Sequence, residues 1–222
     1  GCQHTSTALA IELAKYSEDI GAEAIQLSPP YYYQHSEEDI FQFFRAVAEA
    51  TSIAIVVYNT YWEGFNIEPP FMARLADLPG VVAVKWAAPR PSQYTRMMEL
   101  FADRLAFVDN GFGVIWNHLM GGTGFVTHLA NFWPEHELYL WSLVEQGDYQ
   151  AAKQELAKVN WPWRRFRGRI GRVKGTESHV VRAAVEITGR RAGPPRPPGR
   201  ALNDEERADL RKLLIEMGAP VP

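Results

Sequence analysis

Apolar positions alternate between two spacings along the first two-thirds of the chain. Over residues 7–20, Ala10, Ile11, Leu13 and Ala14 recur at helical spacing, and Gly21 is a natural stop. Over 24–27 a short apolar run ends in Ser28-Pro29-Pro30, as a buried strand would. Ser36 then opens a second helix. Asp39 stands three residues on as a variant capping box, and Phe41, Phe44 and Val47 form the inner face. The alternation continues with a strand over 53–58 and a helix from Pro69 and Pro70 through Phe71, Leu75 and Leu78, ended by Gly80. A strand over 81–86, a helix capped by Ser92 and running through Met97 and Phe101, and a strand over 105–108 come next. A helix over 114–120, a strand over 124–129 and a helix over 134–146 complete the series.

Short strands separated by helices of ten or so residues predict parallel βα units, and the continuous apolar character of the strands predicts that both sheet faces are covered. From Asp148 the strand pattern stops. Helices are expected over 148–160, 176–188 and 203–217, the last with Asn203 as N-cap and Gly218 as stop, and proline-rich 193–199 reads as a connector. The expected organisation is therefore a βα part over 1–146 and a helical extension over 147–222. Two architectures fit five such strands: an open doubly wound sheet, or a (β/α) barrel without its first units. No glycine-rich phosphate fingerprint follows a strand, which weakens the first. Gly121-Gly122-Thr123-Gly124 precedes a strand and reads as a tight turn at the barrel bottom.

Composition narrows the function classes. The chain has 222 residues, 46% hydrophobic and 22% charged, which suits one sizeable globular core. A net charge of -3 suggests neither a nucleic-acid nor an acidic-membrane partner. The lone Cys2 excludes an internal disulfide and points to a reducing, cytoplasmic setting. No apolar run reaches the roughly 18–20 residues of a membrane helix. The chain opens Gly1-Cys2-Gln3-His4, without a methionine or a visible signal peptide. The basic, aromatic stretch 161–169 allows an RNA-binding reading, but a solvated helix face or a subunit contact suits the acidic balance better.

In parallel α/β proteins the reactive groups gather at the C-terminal ends of strands. Lys85 ends the run Val81-Val82-Ala83-Val84, where burial would lower its pKa and prepare a neutral amine for attack on a carbonyl. From position alone, an ion-paired or snorkelling structural lysine fits as well. Tyr58 ends the neighbouring strand, close enough to shuttle protons during imine formation, although an aromatic core plug is an equal reading. His4, His35 and His128 make no metal set, and no metal or other cofactor is expected.

The segments Ser28-Pro29-Pro30-Tyr31-Tyr32, Val57-Tyr58-Asn59, Val82-Ala83-Val84-Lys85, Gly121 through Thr127, and the tail Gly193-Pro194-Pro195-Arg196-Pro197-Pro198 together resemble the dihydrodipicolinate synthase / N-acetylneuraminate lyase family of pyruvate-dependent class I aldolases. The resemblance runs in order over nearly the whole chain. It implies a (β/α)8 TIM barrel lacking its first strands, with a C-terminal helical extension. It makes Lys85 the imine-forming lysine, Tyr58 the proton-relay tyrosine, and Tyr32 a second relay tyrosine that reaches a neighbouring subunit's site. Val126 matches a position whose backbone lines the pocket, and Tyr31, Asn59, Glu63, Trp86, Thr127 and His128 join it as substrate-binding candidates. A homo-oligomer, dimer or tetramer, is implied.

Three departures shape the expectation. Gly1 to Thr7 looks like the end of the third strand, so the threonine-rich carboxylate loop is missing, and the chain alone is expected to be weakly stable and inactive. Where the synthases carry an arginine after Tyr-Asn, this loop carries Glu63, which would repel a semialdehyde carboxylate. Trp86 and Ala87 replace small or polar residues and, with Trp62 and His128, suggest an aromatic pocket for a sugar acid or aromatic aldehyde, or, equally, extra core packing. The expected function is a Schiff-base lyase, aldolase or dehydratase acting on a 2-oxo acid such as pyruvate, and not dihydrodipicolinate synthesis itself. The alternative is a catalytically impaired relative acting as a ligand-binding or scaffold protein.

Overall fold

The computed structural model describes residues 1–110 and 113–222. The chain divides into two compact units, Gly1–Val126 and Thr127–Pro222.

The first unit runs α1 (Thr7–Asp19), β1 (Ala24–Leu27), α2 (Glu37–Ala50), β2 (Ala54–Tyr58), α3 (Pro69–Ala76), β3 (Val81–Trp86), α4 (Pro91–Phe101), β4 (Ala106–Asp109), α5 (Val114–Leu119) and β5 (Gly124–Phe125). All strand pairs are parallel, and the strands lie in sequential order β1-β2-β3-β4-β5. A doubly wound sheet reverses its strand order at a switch point; this one does not, and is TIM-barrel-like. Local signals explain the helix ends. Ser36 and Asp39 form the capping box at the start of α2. Pro69 and Pro70 fill the first turn of α3.

Three expectations need correction. Ser92 does not cap α4. The helix begins at Pro91, and Arg90 is the extended N-cap residue (φ -132°, ψ 140°), because proline's fixed φ suits the first helical position and puts Ser92 inside the first turn. The strand expected over 124–129 is two residues long, because β4 offers partners only as far as Asp109, which pairs with Phe125. The sheet is also not covered equally on both faces. Ile25, Leu27, Ile55, Val57, Val84, Trp86 and Phe107 are buried against the helices. Gln26, Val56, Tyr58, Lys85 and Val108, on the opposite face, are only half-buried.

One irregularity sets the phase of the sheet. Ile55 pairs with Val81, but Val56 pairs with Ala83, so Val82 is an extra residue with no partner opposite. Three residues lead from Ile55 to Tyr58 and four from Val81 to Lys85, and this brings Tyr58 and Lys85 opposite each other.

The second unit is helical: α6 (Pro134–Glu145), α7 (Tyr149–Glu155), a π-helical turn (Leu156–Asn160), α8 (Trp161–Lys174), α9 (Ser178–Ile187) and α10 (Asp204–Met217). Its core gathers Leu129, Phe132, Val159, Trp163, Ile170, Val180, Leu210 and Leu214. Asn203 and Glu206 form the capping box of α10, and Gly218 ends it in the left-handed conformation. The basic stretch of α8 is partly neutralised: Arg167 pairs with Glu177, Arg169 with Asp209 and Lys174 with Glu206. No helix among the described residues is long and apolar enough to cross a membrane.

Candidate active site

Lys85 and Tyr58 face each other at the C-terminal ends of β3 and β2. The Lys85 Nζ lies 3.9 Å from the centroid of the Tyr58 ring. Burial pushes the Lys85 amine below the ordinary lysine value, because the ammonium loses solvation that the neutral amine scarcely needs. The ring face gives back part of that loss to the cation. The Tyr58 phenol moves the other way. Burial raises it, a hydrogen bond from Asn110 lowers it, and the Glu63 charge raises it. Both shifts favour the uncharged forms, an amine and a phenol, the pairing that carbonyl addition and loss of water require.

The loop after β2 supplies the rim. Tyr61–Glu63 makes a short 3-10 turn that presents half-exposed Trp62, whose ring meets Tyr58 edge-on with centroids 5.8 Å apart. Asn59 does not join the rim. Its side chain is fully buried, donates to the Ala87 carbonyl at 2.8 Å and to Asn66 Oδ1 at 3.1 Å, and accepts from the Ile67 backbone at 3.0 Å. With its donors and acceptor engaged it ties the loop down, so it is not free for substrate. Trp86 is also removed from the rim. One residue beyond Lys85, it points to the helix side, is fully buried, packs against Tyr94 and Phe107, and donates to the Tyr94 carbonyl at 3.3 Å.

The end of β4 is held from both sides. The Asn110 amide donates to the Trp86 carbonyl at 3.0 Å, and the Asp109 carbonyl accepts from Val126 at 2.7 Å. The fully buried Asp109 carboxylate accepts from the Tyr94 hydroxyl at 2.9 Å and from the Gly113 amide at 3.1 Å. Asn117 donates to the same Tyr94 oxygen at 2.9 Å. Burial and the adjacent Asp109 carboxylate push the Tyr94 phenol far above its ordinary value, so it remains a donor. The turn at Gly121 and Gly122 fits closely beneath this network. Gly121 has φ +88°, and a Cβ on Gly122 would stand 1.9 Å from Asn117 Oδ1.

Tyr32 is 73% exposed and packs edge-on against Tyr33 with centroids 4.7 Å apart, and Tyr31 is exposed too. Among the described residues no hydrogen bond or ring contact joins Tyr31 or Tyr32 to Lys85. Val126 is exposed at the end of β5. In the second unit, the Thr127 hydroxyl accepts from the Leu129 amide, and the His128 ring meets Arg167 Nη1 at 2.6 Å. Cys2 is buried, with its sulfur 3.4 Å from the Ser17 hydroxyl. Among the described residues no three His, Cys, Asp or Glu side chains gather as a metal site. The residue that sequence reasoning missed is Asn110, whose Nδ2 donates to the Tyr58 hydroxyl at 3.2 Å. Its position at a strand end was legible, but its partner two strands away was not.

Comparison with known proteins identifies the family. A profile of the Dihydrodipicolinate synthetase family matches residues 1–217. The 4-hydroxy-tetrahydrodipicolinate synthase of Methanothrix thermoacetophila is 33% identical over 98% of this chain and 72% of its own length. The Methylobacterium radiotolerans protein named "Probable 5-dehydro-4-deoxyglucarate dehydratase" is 31% identical over 94% of this chain and 68% of its own length. The crystal structure of dihydrodipicolinate synthase from Thermotoga maritima superposes with a TM-score of 0.84 at 26% identity, over 96% of this chain and 72% of that one. By sequence match along its length and by shared architecture, the chain belongs to the dihydrodipicolinate synthetase family.

Proposed function

We propose that the protein is a Schiff-base lyase or dehydratase that acts on a 2-oxo acid through Lys85. The observation that carries the reading is the half-buried Lys85 amine seated against the Tyr58 ring at the strand ends of a chain of this family. The neutral amine adds to the keto carbon; Tyr58 protonates the new alkoxide, and the resulting phenolate takes the extra proton from the adduct's nitrogen, leaving the carbinolamine. Tyr58 protonates the departing hydroxyl, which leaves as water, and the imine remains. The protonated imine takes in the electrons of an adjacent carbon–carbon bond as it breaks, or of an adjacent carbon–hydrogen bond, which gives an enamine that expels the next hydroxyl as water, and hydrolysis of the imine returns the amine. Two relatives with different printed activities, a synthase and a dehydratase, support this common first half.

The second half departs from dihydrodipicolinate synthesis. Glu63 stands where an arginine would hold the acceptor's carboxylate, and its charge already acts on Tyr58. Trp62 offers the rim an aromatic face for a sugar acid or an aromatic aldehyde. The exposed Tyr31-Tyr32-Tyr33 loop suits a contact between copies of the chain, with Tyr32 lent to the neighbouring site. The test is reduction of the full-length protein with borohydride in the presence of pyruvate and of longer 2-oxo sugar acids, followed by intact mass measurement. One stable adduct per chain, absent from Lys85→Ala, is expected. No adduct with any 2-oxo acid would falsify the reading. An adduct without turnover of any acceptor would favour the ligand-binding alternative.

A further inference from the structure

Asn110 has no part in the chemistry proposed above, yet its carboxamide is aimed at the phenol that chemistry needs. The aim is fixed by the backbone. The Asn110 amide is bonded to the end of β3, and the preceding residue, Asp109, is held by Tyr94 and Gly113 on the far side. From that anchored position Nδ2 reaches over the end of β3 to the Tyr58 hydroxyl on β2, at 3.2 Å. A carboxamide donor can only give a hydrogen bond to the phenol oxygen, never take its proton. The phenol's own hydrogen is therefore left for another acceptor, such as the departing hydroxyl of a carbinolamine. The oxygen left behind is met by a donor that stays in place.

We infer that Asn110 is a positioning residue that orients the Tyr58 phenol and favours its ionised form, making it a better proton donor during imine formation. The inference deepens the reading of Lys85 and Tyr58 as the imine machinery and rests on it. The titratable groups that face Tyr58 are Lys85, whose nitrogen lies over its ring from β3, and Glu63, from the 3-10 turn, whose charge raises the phenol. Neither supplies a directed hydrogen bond to the phenol oxygen, and the neutral Asn110 donor does. Asn110 is also the group that counters burial in the phenol's own balance.

The test follows Tyr58 directly. The purified protein is labelled with ring carbon-13 at the tyrosine hydroxyl carbon, and Tyr58 is assigned by its loss in Tyr58→Phe. Its resonance is then followed with pH over the range in which the far-UV spectrum is constant. Asn110→Leu keeps the size and removes the donor. It is expected to displace the titration upward by about one pH unit, the scale of a hydrogen bond to a charged group. Borohydride trapping should slow about tenfold at saturating 2-oxo acid, with the half-saturating concentration unchanged. Asn110→Gln should recover most of both. If Asn110→Leu does not fold, Asn110→Asp carries the test, because its carboxylate faces the phenolate and should displace the titration upward as well. An unchanged Tyr58 titration in the folded variant overturns the inference. A parent protein that traps no 2-oxo acid would overturn the Lys85 reading instead, and the titration would still decide what Asn110 does to Tyr58.

Discussion

Lys85 and Trp86 are adjacent in sequence, and the two-residue period of a strand sends them to opposite faces. Sequence reasoning found the lysine because a cation ending an apolar strand is unusual. It assigned Trp86 to the pocket because large aromatics suit both pockets and cores, and only the strand's phase separates the two. The consequence is testable. Trp86→Ala should destabilise the protein by about 3–5 kcal/mol, the range for emptying a buried aromatic site. Trp62→Ala should stay within about 0.5 kcal/mol, as at other exposed positions, and alter acceptor preference instead. Chemical denaturation of the two variants checks this, and equal losses would place both rings in the core. Asn59 repeats the lesson with polar atoms: next to Tyr58 in a recognised motif, it looked like a substrate ligand, but its hydrogen bonds are spent on Asn66, Ile67 and Ala87.

At the scale of elements, the signals that resolved well were local ones. Gly21, the Ser36–Asp39 box, the Asn203 N-cap and the prolines at 69 and 70 act within a few residues of where they stand, so they can be read from a single chain. What the sequence could not show depends on a neighbour. The length of β5 is set by where β4 ends, and the shift at Val82 exists only as a mismatch between two strands. The Gly121-Gly122 turn lies between these cases: its turn character was legible, its tight fit against Asn117 was not. Gly122→Ala should therefore cost about 1–3 kcal/mol in thermal or chemical unfolding, as overpacking does, because Asn117 must move and it holds Tyr94. An unchanged midpoint would show that Asn117 can yield freely.

At the scale of the molecule, each unit has its own hydrophobic core. The larger is built from residues between Cys2 and Phe107, and the smaller from residues between Leu129 and Ala219. The order of motifs along the chain was what pointed to the family. Trp86→Ala should raise amide exchange within Gly1–Val126, and Leu214→Ala, at a fully buried position, within Thr127–Pro222. If both variants loosened the whole chain equally, the two cores would be one cooperative unit.

The central claim is that a lysine with a lowered pKa is the group that meets the keto acid. Burial disfavours the ammonium, so neutral amine should be available at a lower pH than in a free lysine. The direct measurement is the pH dependence of borohydride trapping with pyruvate, resolved by peptide mapping. The adduct should reside on Lys85 and rise with pH to a midpoint below the ordinary lysine value of about 10.4. An adduct spread over Lys15, Lys153 and Lys212, or one that appears on Lys85 only as an exposed lysine titrates, would contradict it.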